Sequence, residues 1–246
     1  MPFFELLLIF LAGLAGGAFG TLVGGGNMIV MPLLLSLGFP VIETIAISRV
    51  GVLGLTISGY YKFRKKGLVN HKIAFFIMIF AVIGSFIGTN FVLTVDDALL
   101  ERLIGIIILV MIVFTFMSKN IGMVTKKLGK KHFFIGSFLS LLLGFYIGFI
   151  GLAAGAFLIY LCIFVFGLTF LQSAATIKIP GFVSSLVVVG IFWFNDMIIW
   201  DIAIILFISM FIGSYIGAHY SERLGNVWLR RLFMVVVGIM ALRLLF

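Results

Sequence analysis

Acidic residues are scarce in this chain: Asp and Glu number 8 among 246 residues, against 17 Lys and Arg. Cysteine is scarcer still, since Cys162 is alone and sits in the apolar run LCIFVF. That excludes an internal disulfide and a cysteine-based metal cluster, and leaves a small packing residue. Histidine supplies no metal site either, because His71, His132 and His219 are scattered and no HExxH string occurs. A phosphate-cradling GxxxxGK[ST] loop is also missing; the nearest string, Gly129-Lys130-Lys131, lacks the hydroxyl residue and lies in a basic stretch. Ser58-Gly59 with His219 is an isolated hint of a protease dyad. These absences exclude most enzyme classes, so no catalytic residue, cofactor or metal is expected.

The chain also lacks a polar shell. Charged residues make up 10% of it and hydrophobic residues 63%, which excludes a water-soluble globule and points to an integral membrane protein. The apolar runs are continuous, not alternating, so they are expected to span as helices and not as barrel strands. The N-terminal MPFFELLLIF has no basic flank and carries Glu5, which argues against a cleaved signal peptide and for a first membrane segment.

The net charge of +9 does not imply nucleic acid. Five Lys or Arg fall in residues 61–72, five in 119–132 and three in 221–231, all between apolar runs. Such clustering is what the positive-inside rule produces, and it assigns these three loops to the cytoplasm. The acidic stretches TVDDALLE (94–101) and WFNDMIIWD (193–201) are then expected outside.

Sliding the sequence along itself by 129 positions exposes a duplication. IGSFIGTN (83–90) falls on IGSYIGAH (212–219), Gly26 on Gly155, Gly38 on Gly167, Ala46 on Ala175 and Phe63 on Phe192. The units are 1–118 and 133–246, joined by the basic linker 119–132, and together form one membrane domain. Each divides into about five apolar segments, at 3–22, 27–39, 41–61, 73–93 and 99–118, then 133–150, 152–168, 170–193, 202–219 and 229–246. An odd number per unit turns the second upside down. The expected fold is therefore all-α, with two inverted-topology repeats. Segments as short as 27–39 fall below the ~20 residues of a straight crossing, so broken or re-entrant helices are expected near the repeat interface.

Ionisable groups inside apolar segments are costly and usually functional. Glu43, Arg49 and Lys178 are the clear cases, and Arg49 and Lys178 lie one repeat apart. Each cation left without a partner costs roughly 2.5–3.5 kcal/mol, which a bound anion would offset. The competing reading has both side chains snorkelling to opposite headgroup regions or pairing with carbonyls. Glu43 and its counterpart Gln172 are the candidates for ion coupling or local pairing. Ser48, Ser173 and Thr176 supply candidate hydroxyl donors, and Pro180 is expected to break the helix beside Lys178.

The stretch GTLVGGGNMIVMP completes the set. Gly24, Gly25, Gly26 and Asn27 align with Ala153, Ala154, Gly155 and Ala156. They serve either close helix packing or a helix break with backbone amides facing a cavity.

GGGNMIVMP, repeated in weaker form as GLAAGAFLIYL in a basic membrane chain of this length, resembles the TauE/SafE sulfite exporter family through both repeats. The second copy departs from the pattern, with alanines for two glycines and Tyr160-Leu161 where proline is expected. The resemblance implies a carrier of sulfite, an organosulfonate or a related small sulfur-containing anion in the cytoplasmic membrane of a prokaryote. Anion and lipid bilayer are then the partners. The alternative is a membrane scaffold whose glycines serve packing alone. A cation carrier is disfavoured by the two buried cations. The anion, the direction of transport, the coupling ion and the oligomeric state, a homo-oligomer included, stay open.

Overall fold

The computed structural model describes residues 3–100, 102–104, 106 and 130–221. Among these, all regular structure is helical, and six helices are long and apolar enough to cross a membrane. The segments expected at 229–246 and over most of 99–118, the linker up to residue 129 and the basic stretch beyond Ser221 lie outside the described residues.

Helix α1 (Phe3–Val23) is apolar and proline-free, and ends where Gly24 takes a left-handed φ of +84°. The chain then reverses into α2 (Asn27–Ser36), a helix of 10 residues. Gly16 and Gly20 of α1 face Gly26, so the two backbones approach as no larger side chain would allow. Gly38, at φ +83°, closes α2: the Phe39 N–H donates to Leu34 O at 3.2 Å, satisfying an orphan carbonyl.

Helix α3 (Val41–Lys65) follows Pro40 and crosses in 25 residues, ending in Lys62, Arg64 and Lys65. Those cations suit the negative end of the helix dipole as well as a headgroup region. A turn at Gly67 leads to α4 (His71–Val92), capped by Asn70 Oδ1, which accepts from the Ile73 N–H at 3.2 Å.

The second half has a matching order. Helix α5 (Lys130–Phe149) begins inside the stretch expected to be linker. Gly151 and Ala153, both left-handed, turn the chain into α6 (Ala154–Phe164), 11 residues long. Next come α7 (Phe170–Thr176), whose N-cap Thr169 forms a capping box with Gln172, and α8 (Lys178–Phe194). Helix α9 (Trp200–Ser221) completes the described chain.

Beside Pro180 the helix is interrupted at Ile177 alone, between α7 and α8. The ladder continues across this residue through Ile177 N–H to Ser173 O at 3.0 Å and Gly181 N–H to Ile177 O at 2.9 Å. Proline removes one donor, yet it stands in the first turn of α8, where a missing amide is least costly.

Small residues set the packing. Gly84 and Gly88 of α4 press on the backbone of α5 at Leu141 and Phe145, and Gly144 and Gly148 of α5 press back on Ala81 and Ser85. Gly213 and Gly217 of α9 meet Leu14 and Ala18 of α1, while Gly13 and Gly17 of α1 meet Ser209 and Met210. Four-residue glycine spacing lets helices touch along their backbones, which replaces the hydrophobic drive that lipid does not supply. The turns after α1 and α5 converge at the centre: Gly24 O accepts the Ala156 N–H at 3.1 Å, and a Cβ at either Gly24 or Gly155 would strike the other's backbone.

Candidate anion site

Where these turns meet, a cavity of about 60 Å³ is enclosed by α3, α8 and the α1–α2 and α5–α6 turns. Arg49 of α3 and Lys178 of α8 both line it, together with Gly24, Gly26, Asn27 and Gly155. None of the described lining residues is acidic. Water needs roughly 10–15 Å³ of such space, so the cavity holds a few waters or one small polyatomic ion.

Arg49 is 3% exposed. One guanidinium nitrogen, Nη2, donates to the carbonyl of Ile147, while Nε is buried with no partner among the described residues. The guanidinium rests on Gly151, whose absent side chain leaves it room. Lys178 is 2% exposed and forms no hydrogen bond or ion pair among the described residues; its Nζ stands 6.0 Å from the ring centroid of Phe63, the outer limit of a cation–π contact.

Backbone donors surround the same space. The N–H groups of Gly26 and Asn27 at the start of α2, and of Ala153 and Gly155 at the start of α6, have no hydrogen-bond acceptor among the described residues. Helix N-termini are intrinsic anion sites, since unpaired N–H groups and the positive dipole end point the same way. Ser185 Oγ and Asn27 Oδ1 also lack partners. Buried polar groups are rarely left unpaired without a reason. Here Arg49, Asn27, Ser185 and the residues with free N–H groups all line one cavity.

Five of the sequence candidates stand elsewhere, and a sixth faces away. Ser48 is buried behind the cavity, donating to Ile45 O at 2.8 Å and lying 3.4 Å from Asn27 Nδ2, so it orients Asn27. Ser173 donates to Thr169 O at 2.8 Å, and Thr176 Oγ1 accepts from the Asn70 N–H at 3.1 Å. Neither residue lines the cavity. Gln172 belongs to the α7 cap. Glu43 is half-buried in the first turn of α3 with no ion pair among the described residues. Six residues separate it from Arg49, about 9 Å along the axis. Gly25 faces the Phe19 ring and the Met28 sulfur instead of the cavity.

Gly151, Thr56 and Ser185 are among the lining residues that escaped the sequence reading. The repeat holds a signal for two of them, because Thr56 and Ser185 are 129 positions apart and both carry hydroxyls. Gly151 has no such partner, its counterpart being Leu22.

A family model described as "Sulfite exporter TauE/SafE" matches residues 9–244. A probable membrane transporter protein of Haemophilus influenzae is 24% identical over 98% of this chain and 94% of its own length. The probable membrane transporter protein ORF9 of a Sinorhizobium species is 24% identical over 100% and 94%, and the probable membrane transporter protein YfcA of Escherichia coli K12 is 20% identical over 97% and 89%. No solved structure matches. The chain is a multi-pass membrane protein and belongs to the sulfite exporter TauE/SafE family.

Proposed function

We propose that this protein is a secondary transporter that moves a small sulfur-containing oxyanion, sulfite or an organosulfonate, out of the cell around the Arg49–Lys178 cavity. A membrane transporter is what the family and the relatives' names support. The observation that carries the anion is the pairing of two buried cations in one cavity without a carboxylate. A third buried feature, the free N–H groups at the starts of α2 and α6, supports the same sign of ligand.

The architecture supports alternating access between inverted repeats. Glycine packing of α4 on α5 recurs as α9 on α1, one repeat later in sequence, with the first helix of one unit against the fourth of the other. The α1–α2 and α5–α6 turns touch each other at the site, which supports a site of the kind that inverted-repeat carriers hold at the midplane. On the positive-inside rule the end bearing Lys62, Arg64 and Lys65 is cytoplasmic, in the inner membrane of a prokaryote. The interior-negative potential then assists export by about 2.3 kcal/mol per charge per 100 mV, so uniport suffices and ion coupling is not required.

In proteoliposomes, Arg49→Gln and Lys178→Gln are each expected to reduce sulfite or sulfoacetate efflux at least tenfold at equal protein incorporation. Efflux at the wild-type rate in either variant overturns the site.

A further inference from the structure

Helices α3 and α8 end alike. Phe63 is the last buried residue of α3 and Phe192 the last of α8, and the repeat makes the two counterparts. Each opens the same closing turn: the Leu68 N–H donates to Phe63 O at 3.2 Å and the Met197 N–H to Phe192 O at 3.0 Å, across left-handed Gly67 and Asp196. The helices run antiparallel, because Thr56 meets Gly181 while Gly59, further along α3, meets Lys178, which precedes Gly181 on α8. Their closing turns therefore lie at opposite ends of the bundle, with about 27 Å of helical rise between the two phenylalanines.

The same register sets each ring just beyond one of the buried cations. Lys178 is level with Gly59, where an added Cβ would stand 3.1 Å from the lysine Cε, and its Nζ ends 6.0 Å from the Phe63 ring. Carried along both helices, that register brings Arg49 level with Val188, one turn before Phe192. Phe63 packs with Ala175 and Ala218 in a small apolar cluster distinct from the main core. Lys66 straps the end of α3 to the end of α9 beside this cluster, donating from Nζ to Ala218 O at 2.9 Å and His219 O at 3.1 Å. Its counterpart at the other end is Asn195, whose Nδ2 donates within α8, to Ile191 O at 2.8 Å.

We infer that Phe63 and Phe192 are the two gates of the transport path, each ring plugging one end, and that Lys66 latches the gate at the basic end. The inference rests on the reading of the Arg49–Lys178 cavity as the site of an alternating-access carrier. Such a carrier needs one closure on each side of a fixed site, released one at a time. A pair of counterpart residues at opposite ends of two antiparallel helices meets that need, and both rings are fully buried. The separate packing of Phe63 lets its ring leave without opening the main core. The strap at one end alone makes the two gates unequal, with the gate at Phe192 the easier to open.

Ser185→Cys places a thiol in the cavity, and in a Cys162→Ala background its modification by a membrane-impermeant anionic thiosulfonate reports which end is open. The full-length protein is labelled from each face, in right-side-out and in inside-out vesicles. Phe63→Ala is expected to speed labelling about tenfold from the face of the basic loops alone, and Phe192→Ala about tenfold from the opposite face alone, since labelling tracks the open population. Lys66→Met is expected to speed it about threefold from the basic face. Phe63→Leu and Phe192→Leu, which keep an apolar side chain, are expected to give about threefold in the same two directions and serve where an alanine variant is not recovered. Acceleration from both faces by one variant, from the same face by both, or from neither face overturns the gates, as does rapid labelling of the parent from both faces. An unchanged rate in Lys66→Met overturns the latch. Sulfoacetate is expected to slow labelling of the parent. Protection without the sidedness overturns the gates alone, and sidedness without protection overturns the anion site.

Discussion

The guanidinium of Arg49 lies against Gly151, in the space that any side chain at 151 would fill, and that glycine holds a φ of +65°. A turn between α5 and α6 thus positions a cation carried by α3. Gly151→Ala combines backbone strain with a collision on the charge itself. It is expected to weaken anion binding at least tenfold and to lower the melting temperature, because alanine at positive φ alone costs about 1 kcal/mol. Gly190→Ala on α8, where an added Cβ meets nothing within 4 Å, is the comparison expected to change neither.

Lys178 gives a prediction in which stability and function move in opposite directions. Burying its ammonium without a partner costs roughly 2.5–3.5 kcal/mol, and a Met side chain of similar length removes that cost. Lys178→Met is expected to melt higher than the wild type without ligand, yet to lose all stabilisation by sulfite or sulfonates. Thermal unfolding with and without anion checks both parts. An unchanged anion-induced shift would remove Lys178 from the site.

Two serines, Ser173 read from the sequence as a candidate donor and Ser185 missed by it, divide on structure. Ser185 lines the cavity and its buried Oγ has no partner among the described residues, while Ser173 does not line it and donates to Thr169 O. Ser185→Ala deletes one donor from the site and is expected to weaken anion affinity about fivefold, the value of roughly 1 kcal/mol for one hydrogen bond. Ser173→Ala is expected to leave affinity unaltered in the same titration.

The glycine seams carry the largest stability effects. At Gly84 and Gly213 a Cβ would enter the facing helix backbone, so Gly84→Leu and Gly213→Leu separate α4 from α5 and α1 from α9. Each is expected to abolish recovery of monodisperse protein in detergent. Gly38→Ala, with open space around it, tests strain without collision and is expected to cost only about 1 kcal/mol through its positive φ.

Much of the architecture was legible in advance because it follows from one-dimensional signals. Helix α1 is one residue longer than the apolar run that predicts it, and α8 ends one residue beyond its run. The reversal after Val23 follows from three consecutive glycines, one of them left-handed. Arg49 and Lys178 stood out because few charges are tolerated at membrane depth. Beside Pro180 the interruption is confined to Ile177, since a proline's effect depends on its place in the helix. Thr176 and Ser173 misled for a related reason: a hydroxyl near a cation in sequence forms its bonds with whatever backbone group lies nearest, here at Asn70 and Thr169.

Hydropathy, charge clustering and the 129-residue repeat by themselves determined a helical membrane protein built from a duplicated unit, and they singled out its two intramembrane cations. Each of those properties is local or periodic, so it survives without knowledge of contacts. Tertiary structure alone decided that the cations share one cavity, that Gly151 makes room for Arg49, and that Ser185 lines the site and Ser173 does not. Those depend on which backbones come within touching distance. In a membrane, that distance is set by small residues meeting across helices far apart in sequence.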